Sequence, residues 1–423
     1  MRPAVRQRLR PDPKKHPMSL LAGRQAVAIF LAFAFTYFFS ALLRAVTATL
    51  SPTLTQEFHL HARDLGLLAG GYFLGFASLQ LPLGTWLDRH GPKKVLLWFM
   101  VLAVLGCLAF ALAGSFHALL AARFLCGAGL GACLMAPLTG YRRWFAPATQ
   151  LRTNSWMLMT GSLGMLASTL PVQWLLPLAG WRPLFWGLAL LLGVAMLVLA
   201  LVVPGWQAAA PAGGARSSYR EVWRNRYFWQ LAPIGFFVYG GLIAVQTLWA
   251  GPWMIRVAGY DPVASAGGLF AINLSMLAAF WSWGWVAPWL QRRGLHADRL
   301  IAWGVPLHFV ATAALIAAGP AAGAGHLAVY CVTATFVSLA QPAVGMAFPA
   351  AVAGRALSAY NLVIFLGVFV IQWGIGLLVD GFGALGAAEV SAFRFAFAIF
   401  LGCCVLSYAW FLWGQSHNRR QSP

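Results

Sequence analysis

Long apolar runs separated by short polar gaps dominate the chain. Twelve such runs lie at 26–50, 65–87, 95–113, 119–141, 153–176, 184–203, 228–249, 266–290, 300–318, 326–348, 357–379 and 392–413. An α-helix rises 1.5 Å per residue, so about 20 apolar residues cross the hydrocarbon of a bilayer. Membrane β-strands are about ten residues long and alternate strictly, whereas these runs are continuous. The pattern therefore predicts an all-α membrane protein with twelve transmembrane helices. The longest interior polar stretch, 204–227, starts as an Ala/Gly/Pro linker, ends basic, and divides the runs six and six. The expected units are a cytoplasmic N-terminal tail at 1–25, a six-helix bundle at 26–203, a cytoplasmic linker at 204–227, a second six-helix bundle at 228–413 and a cytoplasmic C-terminal tail at 414–423.

Composition removes the soluble alternatives. Of 423 residues, 61 % are hydrophobic and 9 % charged, against roughly 45–50 % and about 25 % in soluble proteins. A water-facing surface cannot be covered with so few charges, which excludes a cytosolic enzyme, a disordered chain and a disulfide scaffold. The net charge of +20 does not signal nucleic acid, because no polar domain carries it. If the N-terminus is inside, 23 Lys and Arg fall in cytoplasmic segments and only Arg63, Arg182, Arg256 and Arg394 on the other side. This is a strong positive-inside bias. The basic segment before the first run is followed by no small-residue cleavage site, so it reads as a retained tail. Short loops and Ala/Gly/Arg-rich usage suggest a bacterial inner membrane, with lipid and a small-molecule substrate as partners and a monomer as the working unit.

The halves repeat weakly. Tyr37 and Arg44 correspond to Tyr239 and Gln246 at an offset of 202, and Arg89, Gly91 and Gly164 to Arg292, Gly294 and Gly367 at 203. A near-constant offset implies two pseudo-symmetric bundles, as in parallel-repeat transporters. Six cysteines lie inside apolar runs without metal-site spacing, and Trp174, Trp181, Trp249, Trp253, Trp289 and Trp413 sit near run ends, where interfacial anchors belong.

After the second run comes Gly84-Thr85-Trp86-Leu87-Asp88-Arg89-His90-Gly91-Pro92-Lys93-Lys94. It resembles the signature loop of the major facilitator superfamily, G-x-L-x-D-R-x-G-R-[RK], with Trp86 and Pro92 as departures. A degenerate copy, Ala287-Pro288-Trp289-Leu290-Gln291-Arg292-Arg293-Gly294, stands in the matching place, and Arg123-Phe124-Leu125-Cys126-Gly127-Ala128-Gly129 is similar to the family's fourth-span motif. The resemblance covers nearly the whole chain. It implies two bundles around a central cavity, no cofactor and no enzymatic activity. It also implies a gate built from Gly84, Asp88, Arg89, Gly91 and Lys93, with Asp88 facing the start of span 11 near Leu357 and Arg142 or Arg143 close by.

Arg44 carries the functional argument. An Arg within a transmembrane run costs roughly 2.5–3.5 kcal/mol on insertion scales and usually faces a bundle interior or aqueous cavity. Tyr37, Ser40 and Arg44 share a helix face. The family lines its cavity with spans 1, 4, 7 and 10, and Tyr239, Gln246, Gln341, Asn361 and Gln372 supply further polar positions. Two readings of Arg44 stand: a fork for a substrate carboxylate or phosphate, or a structural Arg bonded to helix carbonyls. Its repeat mate is Gln246, which favours a singly charged anion or a zwitterion. Arg123 is either a second cavity charge or a side chain snorkelling to the interface.

No acidic residue sits mid-span, and His308, on a span the family places outside, reads as structural. Proton coupling would need Asp64, Asp380, His308 or the substrate itself; exchange or facilitated diffusion fits equally. Efflux of drugs or metabolites is the competing function. However, the run Gly161-Ser162-Leu163-Gly164-Met165-Leu166-Ala167-Ser168-Thr169-Leu170-Pro171 lacks the Gly-Pro pair of the family's drug antiporters. The sequence thus predicts alternating-access transport of a small organic anion or zwitterion.

Overall fold

The computed structural model describes residues 23–145, 147–206 and 219–421. The expected N-terminal tail up to residue 22 and the linker stretch 207–218 lie outside the described residues, as do the side chains of Arg143 and of the C-terminal residues from 417 on. The described chain is built from helices. They are α1 (Gly23–Phe58), α2 (Ala62–Ser78), α3 (Gln80–Leu112), α4 (Phe116–Leu130), α5 (Met135–Trp144), α6 (Pro147–Ala167), α7 (Leu170–Ala179), α8 (Trp181–Val202) and α9 (Tyr219–Arg224) in the first part. Then come α10 (Arg226–Val257), α11 (Pro262–Arg292), α12 (Ala297–Ala318), α13 (Ala324–Met346), α14 (Ala350–Ala384) and α15 (Glu389–Gln421).

Among the described residues, ten helices are long and apolar enough to span a membrane, or eleven if α6 and α7, bent by 42°, form one span. This differs from twelve unbroken runs for local reasons. The expected run 65–87 is divided between α2 and the first part of α3. Helical geometry lapses at Leu79 (φ −101°, ψ 1°), three residues before Pro82. Proline has no N–H to give the Ser78 carbonyl and its ring crowds that oxygen. Further on, α3 is itself two helices that meet at Gly91 (φ 80°, ψ 163°), a conformation open to glycine because it has no Cβ. Between α6 and α7, Ser168 and Thr169 turn their hydroxyls back onto the carbonyls of Met165 and Leu166. Pro171, at the start of α7, completes the bend.

Small residues set the helix spacing. A Cβ at Gly75 or Gly127 would strike the carbonyls of Phe124 or Tyr72, so α2 and α4 touch backbone to backbone, as membrane helices do where packing rather than hydrophobicity drives association. Three of the expected tryptophan anchors belong instead to the interior. Trp249 and Trp253 are fully buried, and their indole N–H groups donate to the carbonyls of Gln372 (3.1 Å) and Ala322 (2.9 Å). Trp181 is also buried and donates to Glu57 (2.6 Å). Trp174, Trp289 and Trp413 remain exposed. His308 is buried, with Nδ1 3.2 Å from the Tyr330 carbonyl.

Candidate functional site

Helix α1 carries Tyr37, Ser40 and Arg44 on one face, as their spacing requires. Arg44 lies deep among helices and still keeps partial exposure. Its guanidinium is hydrogen-bonded to Tyr37 and has the hydroxyls of Tyr72 and Tyr239 as its other polar neighbours; its Nε is buried without a partner. Tyr239 comes from α10, in the second half of the chain, and is partly exposed. The two tyrosines related by the sequence offset therefore both lie within electrostatic reach of one cation. Tyr239 and Gln246 both lie on widened, π-type turns of α10, Gly235–Tyr239 and Val245–Trp249. Such turns rotate side chains out of the regular helical phase and recur at functional positions.

A second layer supports this one. Arg123, on α4, is 1 % exposed. Its Nη1 donates to the carbonyl of Leu43 (3.0 Å), the residue before Arg44, and its guanidinium lies 5.1 Å from the Tyr72 ring centre. Tyr72 in turn donates to the Ser40 carbonyl (3.3 Å). Arg123 is thus neither open to the gap nor extended to the interface. It is packed behind the turn of α1 that presents Arg44.

Each amide offered by the sequence makes one side-chain pair, and the Gln372 side-chain carbonyl oxygen is buried without a partner among the described residues. Gln246 donates to Asn273 of α11 (2.9 Å), and Asn273 donates to the Leu269 carbonyl (2.9 Å). Gln341 donates to Asn361 (2.7 Å). Gln372 is fully buried, donates to the Thr247 hydroxyl (3.0 Å), and sits where α14 packs on α2 and α10. Ser40 is 4 % exposed. Asn273 and Tyr72 were not singled out in the sequence; an intramembrane Asn is the kind of costly polar residue that could have flagged the first.

The residues expected to form a gate lie at the basic end. Asp88 is exposed, with Arg355 and Arg142 as the cations acting on it and no ion pair within 4.0 Å among the described residues. Its neighbour on α14 is Arg355, two residues before the expected Leu357; Leu357 packs on Gly345 instead. Gly84 faces the Ser358 hydroxyl, Gly91 is covered by Trp206, and Arg89 and Arg142 are exposed, with Lys93 partly so. Tyr219 of α9 donates to the Leu81 carbonyl (2.9 Å). Burial raises its hydroxyl above the ordinary tyrosine range, while Arg355 pulls the other way, so it stays a donor at neutral pH.

The opposite end of the same helix pair is shut. The Asp380 carboxylate, on α14, accepts from the backbone N–H groups of Ala62 (3.1 Å) and Arg63 (2.9 Å) at the start of α2. The Arg63 side chain lies 3.9 Å from it. Gly376 meets the Ala62 backbone, Gly66 meets Gln372, and Gly251 meets Ala48. The two parts of the chain are thus in close backbone contact beyond Arg44 on this side.

The sequence model of the Major Facilitator Superfamily matches residues 33–371. The chain belongs to the Major Facilitator Superfamily. It is a multi-pass membrane protein, and its resemblance in the signature loop is matched by the family comparison. The 4-hydroxybenzoate transporter PcaK of Pseudomonas aeruginosa is 32 % identical over 187 residues, 44 % of this chain and 40 % of that protein. The galacturonate transporter of Dickeya chrysanthemi is 29 % identical over 216 residues, 45 % of this chain and 61 % of that protein. The chain thus spans about half the length of the curated relatives it matches. Among solved structures, a bacterial homologue of the human lysosomal transporter Spinster superposes with a TM-score of 0.77 at 16 % identity, covering 93 % of this chain and 98 % of that one. This likeness concerns the fold.

Proposed function

We propose that this superfamily member is a secondary transporter that moves a small organic anion across the inner membrane by alternating access, with both termini cytoplasmic. The observation that carries this reading is Arg44, a cation within a membrane span that keeps partial exposure and has tyrosines from both halves beside it. A guanidinium can fork two N–H groups onto a carboxylate, a geometry that is short, directional and charge-assisted. The relatives named for hydroxybenzoate and galacturonate handle organic acids, which agrees with a cationic site. Rocking of 26–203 against 228–413 would close the basic end as Asp88 engages the start of α14 and open the end held by Asp380.

The experiment is counterflow in proteoliposomes. Vesicles preloaded with an unlabelled carboxylate should accumulate the labelled form transiently and saturably through the wild-type protein. Arg44→Gln should abolish this while leaving thermal unfolding close to wild type. Flux that never saturates would instead mark a channel, and uptake of a cationic dye with no effect of carboxylates would favour the efflux reading.

A further inference from the structure

The structure assigns Asp380 as the latch that holds the end opposite the signature loop closed. Its two oxygens take the first free N–H groups of α2, where an anion also meets the positive end of the helix dipole. The helix is broken off from Phe58 by the loop before it, and no other side chain of the second half reaches those two donors among the described residues. At the far end of the same α2/α3–α14 pair, Asp88 stands without a direct ion pair. Two carboxylates thus sit at opposite ends of the contact between the halves, one engaged and one released.

Asp380→Asn keeps the shape but loses the charge and one acceptor. A single cysteine placed at Ala48, inside the close contact with Gly251, should react severalfold faster with a membrane-impermeant maleimide in the Asp380→Asn background. Asp88→Asn should slow the same reaction. Unchanged labelling in a folded Asp380→Asn protein, or faster labelling in Asp88→Asn, overturns the assignment. Thermal unfolding of both variants separates a shifted balance from a damaged fold.

Discussion

Two arginines lie within the membrane spans of the first half, and the structure gives them opposite surroundings. Arg123 is fully enclosed, with one N–H on the Leu43 carbonyl and its guanidinium carbon over the Tyr72 ring. Arg44 is one residue beyond that carbonyl on the same helix, yet partly exposed and flanked by tyrosines from both halves. The lesson is that intramembrane charge alone does not mark a binding group. What separates the two is access: Arg123 is enclosed, its Nε and Nη2 buried without hydrogen-bond partners among the described residues, whereas Arg44 keeps an open side that an anion can reach. The enclosed arginine also serves the open one, because it fixes the turn of α1 from which Arg44 projects.

Substitutions can break this contrast. Arg123→Ala removes one of the largest fully buried side chains and should cost about 3 kcal/mol of stability or more, seen as a marked fall in the thermal midpoint. Arg123→Met, which fills the volume without the charge, should stay within about 1–2 kcal/mol of wild type, because buried charges replaced by apolar side chains of similar size are often neutral. Equal damage from both would mean that the charge, not the packing, is required. Arg44→Gln should leave the midpoint nearly unchanged and weaken carboxylate binding by about 2–3 kcal/mol, the scale of a charge-assisted hydrogen bond. A large fall in its stability would merge the two arginines into one structural class. Tyr239→Phe should weaken binding by about 1 kcal/mol with little effect on unfolding, which checks that the second half contributes to the same site. Tyr72→Phe, which loses only the hydroxyl on the Ser40 carbonyl, should be the mildest, at about 0.5–1 kcal/mol of stability; a larger effect on binding than on stability would bring Tyr72 into the site.

How far this was legible in the sequence depends on which partner each residue needed. The spans could be read because apolar runs and bilayer thickness are properties of one segment, and the signature loop because its residues are contiguous. Arg44 stood out because a charge in a membrane run is expensive wherever it points. Direction was the missing quantity. Arg123 looked equivalent from its spacing, and only the enclosing α1–α2–α4 packing distinguishes it. The same holds for Gln246, Gln341 and Gln372, whose mates lie 20 to 125 residues away. Their mutual pairing cannot be inferred from one helix face at a time. Trp249 and Trp253 were misplaced at the interface for a related reason: α10 continues to Val257 through widened turns, so residues near the end of the apolar run stay inside the protein. Asp380 was set among possible proton carriers, while its backbone partners at Ala62 and Arg63 belong to the other half of the chain.

The central claim is that Arg44, and not Arg123, is the group that meets the solute. It is tested most directly by measuring carboxylate-induced thermal stabilisation on wild type, Arg44→Gln and Arg123→Met side by side, with benzoate and benzamide as the pair. Benzoate should protect wild type and Arg123→Met, fail to protect Arg44→Gln, and benzamide should protect none of them. Protection by benzoate that persists in Arg44→Gln, or that vanishes in a stably folded Arg123→Met while Arg44 is intact, would contradict the account.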